Sequence, residues 1–195
     1  NSSGDYGLTT GSITKSGAGT MELSGPNSYT GSTSVNAGTL AVTGSIAASA
    51  TTVSSGATLA GTGTLAGTVN LQGILSPGTG GAGTLTINNA LTLASDSSMD
   101  WQISDWNGNA GTGYDQVIVN SATITALPAN PVVIRLKGTP ANFSESSKSF
   151  SLLQSSGAIS GFNTNLFSLD TSGLTAGAGT WTITESSNSI LLVYT

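Results

Sequence analysis

Few residues in this chain can do chemistry, and most of them sit close together. Asp96, Asp100, Asp105 and Asp115 cluster in a sequence that has nine carboxylates, four cations, no histidine and no cysteine. Paired carboxylates can cleave glycosidic bonds, and their separation sets the stereochemical course. Sites for acidic sugars usually add Arg or Lys, but Lys15, Arg135, Lys137 and Lys148 are scattered along the chain. Asp100 alternates with Met99 and Trp101, which turns it toward solvent from a strand. Without His the commonest general base and transition-metal ligand are missing. Ser-His-Asp triads, Cys-His pairs and His-containing zinc sites are therefore excluded. The expectation is a non-enzyme with no catalytic residue, and a polysaccharide-active enzyme is the trailing alternative.

The same region holds a partial calcium pattern. Asp105, Asn107 and Asn109 place oxygen side chains at alternate positions, as at the start of a calcium loop. Ala110 takes the sixth position, where Gly is expected, and Gln116 takes the twelfth, with Asp115 beside it as a substitute. The competing reading is a polar loop whose Asn and Gly residues serve turn geometry. No other cofactor is expected. Among the aromatic residues, Trp101 and Trp181 sit within strand alternation and read as buried. Trp106 lies in a Gly/Asn-rich loop and is the better candidate for an exposed glycan contact, with packing as the alternative.

The elements that must position these residues repeat. Gly followed by Thr and an apolar residue recurs at Gly19-Thr20-Met21, Gly38-Thr39-Leu40, Gly63-Thr64-Leu65, Gly83-Thr84-Leu85 and Gly179-Thr180-Trp181. The spacing is near that of one coil in a repeat architecture. Between the glycines, Leu40 with Val42, Leu85 with Ile87 and Leu91 with Leu93 alternate with Thr, the period of a strand with one buried face. The fold expected is an all-β parallel solenoid. Near residue 95 the texture changes from Gly/Thr-rich to longer, bulkier strands. This divides the chain into an N-terminal segment 1–16, solenoid repeats 17–95, and a C-terminal region 96–195 that caps or widens the coils.

Composition narrows the function. Only 7% of residues are charged and the net charge is −5, against about 25% charged in an ordinary soluble domain. So few cations cannot neutralise a phosphate backbone, which argues against nucleic acid. No apolar run approaches the ~20 residues of a membrane-spanning helix. The start at Asn1-Ser-Ser fits a mature chain whose leader has been removed.

Residues 17–44 open Gly17-Ala-Gly19-Thr20-Met-Glu-Leu23-Ser-Gly25, turn at Asn27-Ser-Tyr29-Thr-Gly31, and return through Val35-Asn-Ala-Gly38-Thr-Leu40. This stretch resembles the autotransporter-associated β-strand repeat, also called the passenger-associated transport repeat. Gly73-Ile-Leu-Ser-Pro77-Gly78, Gly83-Thr-Leu-Thr-Ile87 and Gly113-Tyr114-Asp115-Gln-Val117 resemble the sequence on the C-terminal side of such repeats, and the likeness fades after about residue 120. The resemblance implies a right-handed parallel β-helix, secretion, and a stalk or display role without catalytic residues. An autotransporter's translocator barrel has no room after Thr195, so it lies outside this chain or the chain is a free-standing secreted relative.

The termini complete the expectation. Tyr6, Leu8 and Ile13 at one end, and Ile190, Leu192 and Tyr194 at the other, either cap their own chain or add to the next subunit by strand addition. The functional expectation is an extracellular fibre or stalk element that self-associates or attaches to other surface proteins. An adhesin or glycan-binding module is the alternative.

Overall fold

Short runs of Thr alternating with Leu, Ile or Val, broken by glycines, cannot bury their apolar face alone. They do so by stacking coil on coil. The computed structural model describes residues 10–175 and 177–195, and among them nearly every element is a strand, with one 3-10 turn at Thr164–Leu166. Tyr6 and Leu8 fall outside the described residues.

Three ladders of parallel strands run the length of the coil. The first stacks Ile13–Lys15, Thr33–Val35, Thr51–Val53, Val69–Leu71, the end of Thr84–Leu93, the end of Gln116–Ile124, and Ile159–Ser160. The second stacks Thr20–Leu23, Thr39–Val42, Thr58–Gly61, Ile74–Pro77, Ser98–Gln102, Val132–Gly138 and Phe167–Leu174. The third stacks Pro26–Asn27, Ser45–Ile46, Thr64–Leu65 and the first parts of Thr84–Leu93 and Gln116–Ile124, then reaches Lys148–Ser155. One strand from each ladder makes a coil, so the fold is a parallel β-solenoid, as the alternation predicts.

Register is set by unbroken inward rows. Met21, Leu40, Leu59, Leu75, Met99, Ile134 and Leu169 stack one on another through the second ladder. Val35, Val53, Leu71, Leu93 and Ile124 do so in the first. The middle members of both rows are fully buried, and each such aliphatic contributes roughly 1.5–3 kcal/mol of transfer free energy. A slip of one residue would turn a whole row to solvent.

The corners demand glycine where coils meet closely. At Gly61, with φ +124°, an added Cβ would lie 2.0 Å from the carbonyl oxygen of Val42 on the coil below. At Gly63 it would lie 2.1 Å from that of Gly44. Gly19, the first glycine of the repeated phrase, has no atom within 4 Å of that position, so its role is not steric.

The coils widen toward the C-terminus. In the first ladder Thr33 stacks on Thr51 and Thr51 on Val69, but Leu91 stacks on Ala122 and Ala122 on Ile159. The extra residues lengthen the strands and swell the corner between the second and third ladders. At the end the pattern changes. Ser189–Tyr194 pairs antiparallel with Lys148–Ser155, and Trp181–Ser186 pairs antiparallel with Ser189–Tyr194. A hairpin therefore finishes the third ladder in place of further parallel coils.

Candidate functional site

Asp115 is the most deeply placed carboxylate. It enters the third ladder just before Gln116–Ile124 and is fully buried. One carboxylate oxygen accepts the N–H of Gly83 at 2.7 Å, and the other accepts the N–H of Gln102 at 2.8 Å. Its own carbonyl accepts the Trp101 indole N–H at 2.6 Å. Burial pushes its carboxyl up to about 7, against the opposing pull of the two N–H donors. The side chain ties successive coils together and completes backbone groups that their strands leave open.

The remaining residues of the calcium pattern stand apart from it. Asp105 accepts the N–H of Asn107 at 3.0 Å and the side-chain amide of Asn142 at 2.9 Å. These bonds, the one from Asn142 foremost, hold its carboxyl below the usual range. The exposed Asn107 accepts Lys148 Nζ at 3.1 Å. Asn109 is exposed and uses its main-chain carbonyl to close the turn onto Gly113. The geometry of Asp105 and Asn107 is that of an Asx turn braced by Lys148. Among the described residues no three of His, Cys, Asp or Glu converge as metal ligands.

Trp106, expected in an exposed loop, is 1% exposed. Its ring meets Phe143 at 4.7 Å, Phe150 at 5.1 Å, Tyr194 at 5.2 Å and Trp181 at 6.0 Å, all but edge-on. Trp101 and Tyr114 extend the same cluster through Phe150. The loop folds inward because the swollen corner needs bulk to fill it, and the aromatic rings come from two coils and the hairpin. Trp106 therefore offers no face to a sugar. Trp101 is buried as expected, and Trp181 is partly buried within the cluster.

The other carboxylates are dispersed. Asp100 lies on the outward face of the second ladder, 2.6 Å from Lys137 and 3.3 Å from Arg135. Asp96 accepts the side-chain amide of Asn130 at a separate corner. Asp100 stands near enough to Asp115 for its charge to act on that carboxyl, but it faces outward against Lys137 and Arg135 while Asp115 is fully buried. Nearer the N-terminus, Thr20, Thr39 and Thr58 stack in register along an open trough of about 480 Å³, with Glu22 at its end and the Gly78–Gly80 turn beside it. No sequence signal distinguished this trough, because each Thr belongs to an ordinary alternating strand.

The assembly residues divide. Ile190, Leu192 and Tyr194 are buried within their own chain. Tyr194 donates its hydroxyl hydrogen bond to Glu145 and accepts the N–H of Gly179 at 2.8 Å. This run closes its own coil because Lys148–Ser155 presents the free edge it pairs with. Ile13 is partly buried in the first coil.

The stacked parallel ladders define a β-solenoid. The family model for the passenger-associated-transport-repeat matches residues 13–42, which are the whole first coil and the first two strands of the second. The chain thus carries that repeat at the start of its described solenoid. No curated protein matches the chain.

Proposed function

We propose that the chain is a non-catalytic structural segment of a secreted bacterial surface protein, a stiff spacer that holds other parts away from the cell. One observation carries this reading: two parallel ladders run without interruption from the first coil to the seventh and a third runs to the sixth, beginning with a passenger-associated-transport-repeat. The repeat suggests an autotransporter passenger, which is displayed outside the cell. No helix among the described residues is long and apolar enough to cross a membrane. The polar surface is mostly hydroxyl and amide, and the largest buried side chains all pack inward.

Electron microscopy of the purified protein at several concentrations tests the reading. Short rods resistant to protease support a spacer, and filaments extend it to a self-assembling fibre. A flexible, protease-sensitive particle, or turnover of a polysaccharide panel, would refute it. A second reading, a glycan-binding module, is favoured by the Thr-lined trough. A glycan array with Ala60→Trp, which would fill that trough, separates it from the first.

A further inference from the structure

The C-terminal end of the solenoid is uneven. In the third ladder, Ser189–Tyr194 takes the seventh level and Trp181–Ser186 adds an eighth. In the second ladder, Phe167–Leu174 at the seventh level is the last strand among the described residues. The third ladder therefore stands one strand higher than the second, and the two end strands touch. The step between them is one strand wide. Its floor is the edge of Phe167–Leu174 that pairs with no strand among the described residues, regular over Phe167–Asp170 before a shift in register.

The side chains around this step are unfinished in the way an uncovered row is. Leu169 ends the inward row that begins at Met21, and with Phe162, Leu166 and Leu174 it is only partly buried against the core. On the outward side, Asp170 ends the row Asp100, Arg135, Asp170. Arg135 and Lys137 both reach back to Asp100. Asp170 has no ion-pair partner within 4 Å among the described residues; its carboxylate accepts from Ser172, whose N–H lies at 3.0 Å, and feels the charges of Arg135 and Lys137 from the strand beneath, while its other side is uncovered.

We infer that this step is a docking slot for one extended polypeptide strand of a partner, added in register to Phe167–Asp170, with an apolar residue over Leu169 and a basic residue opposite Asp170. Strand addition of this kind draws affinity from main-chain hydrogen bonds and specificity from alternate side chains. A second copy of this chain stacked as the next coil does not fit. Continuing the coil with Met21 on Leu169 would place Pro26–Asn27 of the new copy where Trp181–Ser186 already lies, and would set Glu22 against Asp170, a like-charge pair. A lone strand avoids both conflicts, and a basic one meets Asp170 on the side away from Arg135 and Lys137.

The test uses the whole chain and an eight-residue synthetic peptide of alternating Val and Lys, with a Val/Glu peptide as comparison. Binding is read by amide hydrogen exchange and by titration at physiological salt. Protection confined to residues 167–174 and the adjoining hairpin is expected, with the Val/Lys peptide favoured. Asp170→Lys is expected to weaken it at least fivefold, Asp170→Asn less, and Glu22→Lys, the same charge change at the far end, not at all. Protection elsewhere, equal losses from Asp170→Lys and Glu22→Lys, or no protection at millimolar peptide would overturn the inference. So would a disulfide formed between Glu22→Cys and Asp170→Cys variants when mixed, since that would show the chain's own copies filling the slot.

Discussion

Asp115 Oδ1 lies 2.7 Å from the backbone nitrogen of Gly83, across 32 residues of sequence. With Gln102 held by the other oxygen, one buried carboxyl secures the point where the regular N-terminal coils pass into the widened ones.

Its titration gives the solenoid an acid-favoured component of stability. The native carboxyl is raised from 3.8 to about 7, so between those values the folded chain holds a proton that the unfolded chain has released. Stability from this group is full below the unfolded value and is lost as pH rises toward 7. A shift of that size corresponds to at most roughly 4 kcal/mol. Melting curves from pH 4 to 8 should show the midpoint falling across this window. Asp115→Asn should flatten that slope, while costing about 1–3 kcal/mol because its amide cannot accept both N–H groups. A wild-type midpoint that climbs from pH 4 to 7 would contradict the account.

Gly61→Ala should be among the most damaging single-methyl changes in the chain. The new Cβ meets the Val42 carbonyl at 2.0 Å in a backbone conformation with φ +124°, so both strain and overlap apply, at roughly 3 kcal/mol or more. Gly19→Ala, with open space and no positive φ, should change stability by less than about 0.5 kcal/mol. Urea denaturation of the two variants side by side checks the contrast.

Trp106→Ala should cost about 3–5 kcal/mol through the cavity it leaves, and should erase much of the near-ultraviolet dichroism of the aromatic cluster. Its effect on any glycan binding should follow the loss of folded protein and no more. Selective loss of sugar affinity in a variant that still melts cooperatively would return Trp106 to the surface.

Salt should matter little. Among the described residues the ion pairs are Asp100 with Arg135 and with Lys137, and both basic side chains are more than a third exposed. Such pairs contribute about 0–1 kcal/mol each. Molar NaCl should therefore move the melting midpoint by no more than a few degrees, and Asp100→Asn should do little more. A large drop in salt would point to electrostatic support that the structure does not contain.

Much of the solenoid is legible in the sequence because its rule is local. Leu40 and Val42, Leu85 and Ile87, and Leu91 and Leu93 alternate with Thr and all turn inward. What depends on a partner from another coil is not legible. Thr33 faces the core with full burial because Tyr29 and Ser49 supply its hydroxyl partners at 2.7 and 2.9 Å. Trp106 looks like a loop residue until Phe143, Phe150 and Tyr194 arrive from later coils. Ile190–Tyr194 reads equally as a cap or a joint, and only the free edge of Lys148–Ser155 decides between them. The hairpin itself left one local trace: Ser187, with φ +54°, and Asn188 form a two-residue connection between Ser186 and Ser189, of the kind that tight antiparallel turns use.

Length and girth are separately encoded in this architecture. Each coil advances the axis by one strand separation, about 4.8 Å, whether it spends the short path from Thr33 to Thr51 or the long one from Ala122 to Ile159. Lengthening a corner thickens the rod locally and leaves its reach unchanged. Reach increases only when a whole coil, with a member for every inward row, is gained. Variation in such a molecule can therefore reshape the sides freely, while the distance it spans changes in whole steps.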